Sequence, residues 1–124
     1  MTPQVAQRLA KAERFLGQAT RQSPEEAPEA VIHCAYYAML HAAAALIVAQ
    51  QGQAPKTHGS IIGQFSKLVE SNGDYARSLG RAFNRAEDRR LRSDYDEVFI
   101  PSAADATNIR NSAVEFVAYC RSLL

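Results

Sequence analysis

The run AYYAMLHAAAALIVA, residues 35 to 49, constrains the fold more than any other stretch of the chain. It has no continuous polar face, so a helix built from it must be covered on all sides. Two environments do that, the centre of a helical bundle and a lipid bilayer. A bilayer needs about 20 mostly apolar residues to be crossed comfortably, and this run is shorter and contains His41. Its alanines let neighbouring helices approach closely. The run therefore predicts the central helix of a bundle.

The rest of the chain repeats its apolar residues at helical spacing. Val5, Leu9, Ala12, Phe15, Leu16 and Ala19 form a first stripe. Ser23, Pro24, Glu25 and Glu26 read as the cap and first turn of the second helix, which continues to Gln51 and stops at Gly52. Thr57 or Ser60 caps a third helix with Ile61, Ile62, Phe65, Leu68 and Val69 on one face. Gly73 turns the chain into a fourth helix, from about Asp74 to Asp94, with Tyr75, Leu79, Ala82, Phe83 and Ala86 as its stripe. Ser102 caps a fifth, where Ala106, Ile109, Ala113, Phe116, Val117, Cys120 and Leu123 recur. No segment alternates as a strand. The expected fold is all-α, an up-and-down bundle of four to five helices in one domain spanning residues 1–124.

A net charge of +1 carries no global bias toward nucleic acid, so any electrostatic argument must be local. Nothing near the N-terminus resembles a secretory leader, since charge interrupts the apolar residues of MTPQVAQRLAKAERFLGQ. A cytoplasmic protein is expected. Cys34 and Cys120 both fall on apolar helical faces and read as buried free thiols.

The local charge lies on the fourth helix. Arg77, Arg81, Arg85 and Arg89 are spaced four apart, and Arg90 and Arg92 follow. From Arg77 to Arg92, six arginines face two acids, Glu87 and Asp88, a balance of +4. Like charges at this spacing repel by roughly 0.2–0.5 kcal/mol per pair on an isolated helix. RNA phosphates would relieve that repulsion. An acidic partner or intramolecular acids such as Glu29 and Glu70 would do so too. On the second helix His33, Tyr37 and His41 are also four apart. The two histidines lie about 12 Å apart along the axis and cannot share one metal. They read as packing residues on a helix–helix seam, and no metal or cofactor is expected. No phosphate-binding loop or nucleophile-elbow serine is present.

Three segments, AYYAMLHAAAALI, PKTHGSIIGQFSKL and LGRAFNRAEDRRLRSDY, resemble the HEPN domain, in particular its small stand-alone bacterial and archaeal members. The resemblance runs from about Ala30 to Tyr95. It implies a helical bundle that dimerises. Many such proteins are metal-independent RNases, and many act as toxins beside a small nucleotidyltransferase antitoxin. The family signature is an arginine, four to six residues, then a histidine near the end of the fourth helix. Arg90 matches the arginine, but Tyr95 stands where histidine is expected, and no histidine follows His58.

On this resemblance Arg90, Asp94 and Tyr95 are the candidate catalytic residues, and Arg85, Arg89 and Arg92 the candidate RNA- or phosphate-binding ones. Arg90 would hold the scissile phosphate, and Asp94 or Tyr95 would move the proton. Tyrosine, with a pKa near 10, is only about 0.1% ionised at pH 7 and is a weak base unless perturbed. The partners implied are a second copy of the chain, a nucleotidyltransferase that could modify Tyr95, and RNA or a nucleotide. The alternative is a non-catalytic interaction module whose arginine-rich helix docks on an acidic partner.

Overall fold

The computed structural model describes all 124 residues. They form five α-helices and no strand: α1 (Pro3–Arg21), α2 (Pro28–Gln51), α3 (His58–Val69), α4 (Asp74–Tyr95) and α5 (Ala103–Ser122). Helix α2 packs against all four others, as its all-round apolar surface requires. Length and composition alone would let α2 cross a membrane, yet 83% of its most apolar window is buried in the bundle. Helices α1 and α5 cover one part of α2, and α3 and α4 another.

Capping explains where the helices begin. Thr2, Thr57 and Ser102 each accept a hydrogen bond from a backbone N–H of the first turn they cap. The start of α2 departs from the sequence expectation. Ser23 to Glu26 form a separate turn, in which the Ser23 hydroxyl accepts from the Glu26 N–H at 3.2 Å. Helix α2 itself begins at Pro28, with Ala27 at its cap and Glu29 in its first turn. The reason is Pro28, which donates no N–H, clashes with the carbonyl four residues back, and drives Ala27 out of the helical region. Gly52 ends α2 with a φ of 88°, which favours glycine.

The core is one cluster of 30 buried residues with a smaller one where the start of α1 meets the end of α2. At its centre Phe65, Phe83 and Phe116 meet with ring centroids 4.6–5.9 Å apart. Phe83 also reaches Tyr36, at 6.1 Å, and so ties the core to the site described below. Two stripe residues are exposed. Tyr75 is half exposed, resting edge-on against Tyr119, and Leu123 lies past the end of α5. Cys34 and Cys120 are buried and free.

Candidate functional site at the end of α4

The core-facing stripe of α4 does not stop at Ala86. Leu79, Phe83, Ala86 and Arg90 continue the same helical spacing, so Arg90 points inward although it is charged. Its side chain is only 12% exposed. The guanidinium carbon lies 4.8 Å from the Tyr36 ring centroid and 5.8 Å from that of Tyr37. Both rings come from α2. Such cation–π contacts contribute about 0.5–2 kcal/mol, more where water is excluded. Arg90 Nη1 donates to Asp94 Oδ2 at 3.2 Å, while its buried Nε has no partner.

Tyr36 is fully buried, and its hydroxyl meets His58 Nδ1 at 3.1 Å. The cap at Thr57 makes this possible, because it starts α3 at His58 and turns that imidazole toward α2. Burial pushes the Tyr36 phenol up to about 12, and the Glu87 carboxylate adds to this against the opposing pull of Arg90. The phenol is therefore protonated at neutral pH, and it shares a hydrogen bond with His58 Nδ1 whose direction follows the imidazole tautomer. His58 lies 5.6 Å from the Tyr37 centroid. An arginine and an imidazole thus flank one tyrosine pair.

The other sequence candidates lie around this centre. Arg89 pairs with Asp88 at 2.6 Å and reaches Asp105 on α5 at 3.6 Å. Arg92 pairs with the same Asp88 at 3.2 Å, with its guanidinium over Phe99. Arg77 pairs with Asp74 and donates to the backbone carbonyl of Glu70, so neither the Glu70 nor the Glu29 carboxylate neutralises it. Arg81 and Arg85 are exposed and unpaired. Tyr95 ends α4 at 77% exposure. Asp94 and Arg90 therefore come together directly, whereas the Tyr95 ring does not join the tyrosine cluster. Tyr36, Tyr37 and His58 were not singled out as partners of Arg90 from sequence. The available signals were the tyrosine pair that interrupts the alanine run and the cap before His58.

The histidine stripe of α2 forms a seam with α1. Phe15 stacks on Tyr37 at 5.5 Å and on His41 at 5.6 Å, and His33 packs on Tyr37 at 4.8 Å. No three His, Cys, Asp or Glu side chains converge to hold a metal ion. Burial, then Lys11, Arg8, His58 and Arg14, push His41 down to about 4. This makes a testable prediction about stability. Imidazole in the unfolded chain titrates near 6.5, so from about pH 6.5 down to 4 the unfolded state takes up a proton that the fold resists. The contribution is complete above that window and is lost as pH falls through it. Because the ring is only half-buried, screening limits the loss to about 1–2 kcal/mol. Urea unfolding at pH 7 and pH 4.5 should show a smaller drop for His41→Asn than for the parent. Equal drops would remove His41 as the cause.

The HEPN domain family model matches residues 5–123. The chain belongs to the HEPN domain family. The match extends well beyond the Ala30–Tyr95 segment that carries the resemblance in sequence, and the all-helical bundle agrees with it. No curated protein matches the chain.

Proposed function

We propose that this HEPN protein binds RNA or a nucleotide at Arg90, as a cytoplasmic homodimer and the toxin-like half of a pair with a nucleotidyltransferase. The observation that carries the binding reading is the setting of Arg90. A mostly buried guanidinium is oriented by two aromatic planes and meets a single carboxylate of its own chain, the half-exposed Asp94, through Nη1. Pre-oriented donors of this kind suit a phosphate oxygen and its developing charge.

Support for the dimer comes from the apolar surface at the same end. Tyr95, Val98 and Ile100 are 77%, 86% and 80% exposed, and clusters of exposed apolar side chains mark interaction sites. The same exposure leaves the Tyr95 hydroxyl accessible to a modifying partner enzyme. The pairing with a nucleotidyltransferase rests on family likeness, and a neighbouring gene for such an enzyme would support it.

Metal-independent RNA cleavage is the catalytic form of this reading. Asp94 or Tyr95 would move the proton, or His58, which supplies an imidazole beside the same tyrosine pair. Cleavage in excess EDTA by the parent, Arg90→Ala, Tyr95→Phe and His58→Asn separates the tyrosine from the imidazole. Loss in Arg90→Ala and Tyr95→Phe, with His58→Asn active, assigns the proton to tyrosine. Loss in Arg90→Ala and His58→Asn, with Tyr95→Phe active, assigns it to the imidazole. No cleavage by the parent, or cleavage unchanged in every variant, sinks the catalytic reading and leaves binding.

The non-catalytic module is favoured by a different observation. Arg77, Arg89, Arg90 and Arg92 all meet carboxylates of their own chain, whereas the exposed Arg81 and Arg85 do not. Those two remain for an acidic partner. RNA binding that is absent even at low salt would favour this second reading.

A further inference from the structure

The cations without carboxylate partners are not confined to α4. Arg8 and Lys11 on α1, and Lys56 in the loop before α3, line a groove of about 460 Å³ that also takes in Tyr37, His41 and His58. No acidic residue lines it, and none of these three cations forms an ion pair. A second recess of about 320 Å³ shares Arg8, Lys11 and His41 and carries only glutamines besides. The buried Nδ1 of His41 has no hydrogen-bond partner. Tyr37 joins this groove to the site above, since Arg90 and His58 both lie within 6 Å of its ring centroid.

We propose that this groove is a second phosphate-binding subsite, which holds the backbone of single-stranded RNA adjoining the phosphate at Arg90. The inference rests on the RNA reading given above and extends it. Its volume falls within the roughly 300–1,000 Å³ of small-ligand sites. Three cations with no opposing acid supply the charge that successive phosphates require. Burial is the main cause of the lowered His41 pKa, and Lys11 and Arg8 add to it. Lys11 and Lys56 are exposed, so their ammonium groups can reach a bound strand without disturbing the core.

The test is binding of a fluorescent single-stranded RNA dodecamer across a salt series. It compares the parent, Lys11→Ala/Lys56→Ala, Arg90→Ala, and a charge-matched control, Lys67→Ala/Arg110→Ala. Each phosphate contact on a single strand contributes about 0.7 to the slope of log K against log salt. The Lys11→Ala/Lys56→Ala protein should lose about 1.4 of that slope and at least about ten-fold in low-salt affinity, with the control near the parent. If Arg90→Ala weakens binding but the Lys11→Ala/Lys56→Ala protein matches the control, the groove proposal is overturned and the reading at Arg90 stands. If the parent binds no RNA at low salt, both fall, and the cations are left to an acidic protein surface.

Discussion

Arg90→Ala is expected to weaken single-stranded RNA binding about ten- to a hundred-fold at low salt, because a hydrogen bond to a charged group contributes about 1.5–3 kcal/mol. Folding should suffer much less. The substitution removes cation–π contacts with Tyr36 and Tyr37 and an ion pair to the half-exposed Asp94. It also relieves the desolvated, unpartnered Nε. These effects oppose one another and should leave a net loss of about 1–2 kcal/mol. Arg90→Lys keeps the charge but loses the plane that lies over the tyrosines, so its affinity should fall between the two. Fluorescence anisotropy and urea unfolding measure both quantities. If the parent binds RNA and Arg90→Ala binds it equally well, Arg90 is a packing residue only.

The largest stability change is expected from Phe83→Ala, at about 3–5 kcal/mol. Phe83 is fully buried between Phe65 and Phe116 and reaches the ring of Tyr36. For a domain of this length the loss corresponds to a drop in Tm of roughly 10–20 °C. The variant should bind RNA more weakly as well, because Tyr36 loses a supporting neighbour and holds Arg90 less firmly. Phe83→Leu, which retains most of the volume, should cost only about 1–1.5 kcal/mol and preserve binding. A loss below about 1 kcal/mol for Phe83→Ala would contradict the packing described for this core.

The bundle was legible because it depends on local periodicity, and the family because three segments resemble the HEPN domain. Apolar residues at helical spacing identify each helix, and Thr57, Gly52, Gly73 and Ser102 mark ends that backbone chemistry dictates within a few residues. The start of α2 was misread at Ser23, because that serine does cap a turn, although Pro28 prevents the turn from continuing as helix.

The site was only partly legible. Sequence placed Arg90 on α4 and Asp94 one turn later, but showed no aromatic neighbour for the guanidinium. Tertiary structure supplied it, because α2 presents two tyrosine rings where the apolar stripe of α4 ends, and the guanidinium lies over them. His58 lies 22 residues from Tyr36 along the chain, and only the docking of α3 on α2 brings its imidazole to that hydroxyl. Likewise Arg8, Lys11 and Lys56 are unremarkable in sequence, since they come from a helix and a distant loop that meet only when α1 packs on α2. Local periodicity specified which helices form and which faces they bury. The long-range packing of those helices decided which charges meet carboxylates, which lie over aromatic rings, and which are left together in a groove.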